Sequence, residues 1–123
     1  MVSRLSRLEK VTLWLPPLAW AGLIFFLSSI PHLRFVPNDW WDWIIRKIGH
    51  MGIYAMLARL FARAWTGSTL WSWKKIFVWS LVLTILYACT DEYHQTFIPG
   101  RVGAVHDIFI DGVGAWIALG LKP

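Results

Sequence analysis

Three short runs of this sequence carry side chains able to move protons or hold ions. Lys47, His50 and Tyr54 recur at spacings of three and four, as do Asp91 and Gln95 with Glu92 beside them, and Asp107 with Asp111. On a helix those spacings place each set on one face. An imidazole near carboxylates offers general acid–base chemistry, and crowded carboxylates can retain a proton that an acid catalyst donates. A lysine and an arginine hold phosphate or carboxylate. The reading assigns proton handling and its support to His50, Asp91, Glu92 and Asp107, and substrate contact to Lys47, Tyr54, Gln95, Arg101 and Asp111.

Other uses of the same residues compete with that one. Lys47 and Arg101 set against Asp91, Glu92, Asp107 and Asp111 also describe a buried ion-pair network that fixes helix register. The four carboxylates could instead hold a divalent cation, since hard cations prefer oxygen; no zinc-type His and Cys spacing is present, and no organic cofactor is expected. His94 and His106 fall off the stripes and read as interfacial. Ser80 and Thr84 read as satisfying their own backbone carbonyls, and Gly114 with Ala118 as close helix packing.

The elements that carry these residues are written in the hydropathy. The chain has 123 residues, 57% of them hydrophobic, with ten tryptophans, too apolar for an ordinary soluble domain. Residues 11–30 lack any charged side chain and match the roughly 20 residues that cross a bilayer core. No small-residue cleavage site follows, so this segment reads as an anchor. Residues 44–65 contain Arg46, Lys47, His50, Arg59 and Arg63, yet helical geometry recovers a span, with the two lower arginines extending their stems to an interface. Residues 75–95 and 103–121 complete an all-α, polytopic bundle of four transmembrane helices in one domain, 1–123. The chain contains no internal repeat, and no alternating pattern supports strands.

Charge sets the expected orientation. Arg4, Arg7 and Lys10 precede the first span, and Arg59, Arg63, Lys74 and Lys75 surround the connection near 60–75, which puts both termini in the cytoplasm. Trp40, Trp41 and Trp43 then mark the outer interface and Trp65, Trp71 and Trp73 the inner one. The net charge of +5 is spread along the chain, so nucleic acid is not an expected partner. Asn38 or Asp39 is expected to cap the second helix, and Pro99 and Gly100 to form a type II turn. Cys89, the one cysteine, is expected to be a packed thiol. All the ionisable stripes then meet at the outer-leaflet level, where such groups need partners or a wet cavity.

The motifs SSIP (28–31), KIGHMGIYAML (47–57) and DEYHQTFIPGRVGAVHDIFIDGVG (91–114) resemble those of the VanZ-like family of small bacterial membrane proteins, over most of the chain. Asp111 departs from a pattern that often has asparagine there. The resemblance implies a multi-pass protein of the bacterial cell membrane connected with resistance to the acyl-tailed glycopeptide teicoplanin. Three functions fit the expected pocket: an enzyme, hydrolase or transferase, acting on the headgroup of a lipid-linked or acylated molecule; a non-enzymatic binder of such a lipid or drug; or a proton-coupled transporter. A homo-oligomer completing the pocket is compatible with each. Gly103, Asp107 and Asp111 also reproduce half of a CDP-alcohol phosphotransferase signature, but the other half is missing.

Overall fold

A computed structural model describes residues 5–101 and 103–121; Arg4 lies outside them. Five helical segments follow in order, α1 (Arg7–Thr12), α2 (Leu15–Ser28), α3 (Asp39–Ser68), α4 (Trp73–Gln95) and α5 (Val105–Gly120), and no strand occurs among the described residues. The expected first span is thus broken near its start. Pro16 and Pro17 cannot donate to the carbonyls of Thr12 and Leu13, so the chain tightens through the Trp14 N–H to the Val11 carbonyl at 3.0 Å, and α2 starts anew at Leu15. Ser6 and Glu9 close a reciprocal cap on α1.

The remaining helices begin where their caps put them. Asn38 accepts from the Trp41 N–H at 3.0 Å, as expected, and Ser72 from that of Lys75 at 3.4 Å. Between α4 and α5, the Arg101 N–H donates to the Ile98 carbonyl at 3.1 Å and Gly100 has φ of 76°, the geometry of the expected type II turn. A Cβ on Gly100 would also lie 2.1 Å from the His32 ring. That close approach joins the α2–α3 connection to the turn, through the His32 N–H donated to the Pro99 carbonyl at 3.1 Å.

Helix α5 lies against α3, and α4 packs on both. Their axes come close because small residues line the seam: a Cβ on Gly114 would sit 2.6 Å from the Met51 carbonyl oxygen. One core cluster gathers Ala58, Ala62, Ile76, Ala115 and Leu119 beneath Trp65, Trp71 and Trp73; the other gathers Ile24, Tyr54, Leu57 and Ala88. Trp40, Trp41 and Trp43 are exposed. Trp65 differs, stacking on Trp71 at 4.4 Å and meeting Trp14 edge-on at 4.6 Å. Arg59 also differs from expectation. It turns inward to donate to the Ala118 carbonyl at 3.1 Å, satisfying an acceptor in the last turn of α5, while Arg63 is exposed.

Burial runs opposite to that of a water-soluble domain. Asp42, Asp91, Glu92, Gln95, Asp107 and Asp111 are buried, whereas Phe25, Phe26, Leu86, Phe109 and Trp116 are exposed. Such a surface suits lipid and associates the protein with a membrane. The joined α1–α2 segment and α4 are each long and apolar enough to cross one. Cys89 belongs to that outer surface and is exposed. It sits on the side of α4 away from Ala88 and Asp91, which corrects its expected packing.

Candidate functional site

The polar stripes of α3, α4 and α5 meet at one end of the bundle. They close over a cavity of about 560 Å³. Seven of the nine residues singled out above line it: Lys47, His50, Tyr54, Asp91, Gln95, Arg101 and Asp107. Glu92 and Asp111 are buried, 4% and 0% exposed, and within ligand reach of His50. Ile24 and Leu27 of α2, Leu33 and Phe35 of the following loop, and Trp43 and Ile53 of α3 supply an apolar wall.

Each ionisable group has a distinct set of partners. Lys47 pairs with Asp107, and His50 Nδ1 lies 3.0 Å from Asp111 Oδ1. Asp91 is held by neutral donors: the Ser28 hydroxyl, the Tyr54 hydroxyl at 2.7 Å and the Gln95 amide at 3.4 Å. Ser28 in turn accepts from Gln95 at 3.3 Å. Glu92 Oε2 accepts the N–H of Ala104, the residue capping α5, at 3.0 Å, which puts a carboxylate at the positive end of that helix. Its other oxygen and Asp111 Oδ2 are buried with no hydrogen-bond partner.

Arg101 does not join the carboxylates, as the ion-pair reading of the sequence has it. Its guanidinium donates to the carbonyls of Ile30 at 3.0 Å and Leu27 at 2.6 Å, at the end of α2. The Leu27 carbonyl also accepts the Ile30 N–H at 3.3 Å, and a cation at this point meets the negative end of the helix. Burial, with Arg46 nearby, pulls its pKa below the ordinary arginine value, although arginine remains charged regardless.

Beside the cavity mouth, Asp42 accepts from the N–H groups of Phe35 at 2.7 Å and Val36 at 3.4 Å and from Arg46 at 2.9 Å. These bonds, the Phe35 one foremost, hold its carboxyl below the usual range against the opposing effect of burial. The loop wall is thereby tied to the start of α3.

Ser28 and Asp42 are the members of this polar network that residue spacing did not bring into the site. The signal for Ser28 was a hydroxyl at the end of an apolar helix; for Asp42 it was a first-turn acid. His94 stacks on Phe25 at 4.3 Å, between α4 and α2, while His106 is exposed 3.5 Å from Asp107 and lines the cavity rim. Thr84 donates to the Ser80 carbonyl at 2.7 Å, as expected, but the Ser80 hydroxyl is buried without a partner.

A family model described as VanZ/LLP1 matches residues 7–122. The chain belongs to the VanZ/LLP1 family. The resemblance carried by the three sequence motifs is therefore correct, and nearly the whole chain is VanZ/LLP1-like. No curated protein and no solved structure matches it. In this VanZ/LLP1 protein the motifs are the parts that meet: SSIP supplies Ser28, the lysine–histidine–tyrosine motif supplies the α3 face, and the acidic motif supplies α4, the turn and α5.

Proposed function

We propose that this VanZ/LLP1 protein is a four-span protein of the bacterial cell membrane, with both termini cytoplasmic, whose cavity opens towards the outer leaflet and takes the headgroup of a lipid-linked or acylated molecule. The observation that carries this reading is the cavity itself, which sets an apolar wall from α2 and the loop against a polar face from α3, α4 and α5. A molecule with a tail and an anionic head fits those two surfaces. Lys47 has three N–H donors and spends one on Asp107, and Arg101 has five, of which the Leu27 and Ile30 carbonyls take two. The remaining donors suit a phosphate or carboxylate.

In the enzymatic form of this reading, His50 or Glu92 moves a proton during hydrolysis or transfer at the headgroup, while Asp91, Asp107 and Asp111 orient the donors. Acyl-tailed teicoplanin, or the lipid-linked molecule it engages, belongs to the ligand class. The test is drug susceptibility of a sensitive host carrying the gene. The expected result is several-fold protection by the unaltered chain, lost in Lys47→Ala and His50→Ala variants that still reach the membrane. Full protection by both folded variants would end this assignment.

A second reading, retention without turnover, is favoured by the engagement of Asp91 with three neutral donors and of Asp107 with Lys47. Both carboxylates are then orienting groups. Lipid mass spectrometry separates the two: one retained species without product supports binding, and a converted headgroup supports catalysis. Proton-coupled transport fits less well, because the cluster of His50, Asp91, Glu92, Asp107 and Asp111 gathers at one end of the bundle.

A further inference from the structure

His50 on α3, Glu92 on α4 and Asp111 on α5 each present one ligand atom, and the three atoms lie within 4.8 Å of one another. Proximity of acids alone would carry no assignment. The separate observation is that Glu92 Oε1 and Asp111 Oδ2 are buried and have no hydrogen-bond partner, on side chains of residues only 4% and 0% exposed. Acceptor oxygens in that position are rare and costly unless a donor or a cation meets them.

We propose that His50, Glu92 and Asp111 form a binding site for a divalent transition-metal ion of the Zn²⁺ class. One imidazole nitrogen with two carboxylates is a borderline donor set, suited to zinc or manganese, whereas calcium and magnesium favour shells made of oxygen. Three protein ligands leave a coordination position open, the pattern of a site that meets an exogenous molecule. Of the three, His50 lines the cavity, while Glu92 and Asp111 are buried behind it.

The surroundings already have the arrangement that metal ligands need. The second oxygen of Glu92 is fixed by the Ala104 N–H at 3.0 Å, which orients the first. His50 Nδ1 and Asp111 Oδ1 are 3.0 Å apart, against about 3.4 Å between neighbouring ligands of a tetrahedral ion with bonds of roughly 2.1 Å, so an ion opens that pair slightly. A metal bound there replaces the proton between them, and that proton leaves to solvent.

The donor set differs from the four carboxylates suggested by the sequence. Asp91 is engaged by Ser28, Tyr54 and Gln95, and Asp107 by Lys47. His50 takes their place. With an ion bound, His50 and Glu92 are its ligands rather than the proton carriers of the enzymatic reading above, and the test needs neither a lipid-linked ligand nor turnover.

The full chain, purified without a metal-binding tag and stripped with a chelator, is titrated with Zn²⁺ and with Co²⁺ as a coloured substitute. The expected result is about one ion per chain and a visible Co²⁺ band displaced by Zn²⁺. Glu92→Gln and Asp111→Asn should weaken binding at least about tenfold, and Glu9→Gln, which keeps the α1 cap, should leave it unchanged. Helicity and monodispersity of each variant, with His50→Gln as a third ligand change, separate loss of the site from loss of the fold. Failure of the folded, stripped wild-type chain to bind either ion would overturn the proposal and leave a proton as the neutralising partner of Glu92 and Asp111. Unchanged affinity in all three folded ligand variants would overturn it equally.

Discussion

Asp91 is surrounded by donors from three segments: Ser28 closes α2, Tyr54 lies on α3, and Gln95 is one turn further along α4. A hydrogen bond to a charged group contributes about 1.5–3 kcal/mol. Ser28→Ala should therefore destabilise the protein by roughly that amount, read as a lower thermal midpoint in detergent, while Ser29→Ala should matter less, because the Ser29 hydroxyl donates to the Phe25 carbonyl within its own helix. An unchanged midpoint for Ser28→Ala would show that Tyr54 and Gln95 suffice. The α3 face was legible in the sequence because Lys47, His50 and Tyr54 repeat at helical spacing. Ser28 was not placed in the network because its partner is 63 residues away, and a serine in an apolar helix ordinarily bonds its own backbone. The role of Arg101 was hidden for a similar reason. Its acceptors are backbone carbonyls, which every residue has.

At the level of elements, the seam between α3 and α5 depends on the absence of one side chain. Gly114→Ala puts a methyl 2.6 Å from the Met51 carbonyl oxygen, and relief requires backbone movement at a cost of about 1–3 kcal/mol. Gly22, on α2, has nothing within 4 Å of the same position, so Gly22→Ala should instead stabilise by about 0.5–1 kcal/mol through helix propensity. Unfolding of the two variants side by side checks the opposite signs. Helix existence was readable from hydropathy and spacing, and the Asn38 cap and Pro99–Gly100 turn from local chemistry. The break between α1 and α2 was missed because an uncharged run says how long a segment can be, not whether prolines interrupt its bonding.

For the whole molecule, the inversion of polar core and apolar surface was anticipated by composition, but orientation across a membrane rests on charge asymmetry alone. In a Cys89→Ser background, single cysteines at Pro37, in the α2–α3 loop, and Leu70, in the α3–α4 connection, report the two sides. A membrane-impermeant maleimide on intact cells should label the Pro37→Cys protein only, and reach Leu70→Cys after permeabilisation. The reverse pattern would turn the cavity towards the cytoplasm and remove the outer-leaflet reading.

The pairing of Lys47 with Asp107 and of His50 with Asp111 spans 60 and 61 residues, and that separation has a meaning for biogenesis. When the ribosome has completed α3, neither carboxylate has yet been synthesised. On the four-span reading α3 would reach lipid with Lys47 and His50 unpaired, and α4 relieves neither, because its Asp91 is met by Ser28, Tyr54 and Gln95. Only α5, 16 residues long, supplies the missing partners. If α3, α4 and α5 all span the membrane as proposed, α3 is expected to stay unpaired until α5 follows it, so that the two would enter lipid together.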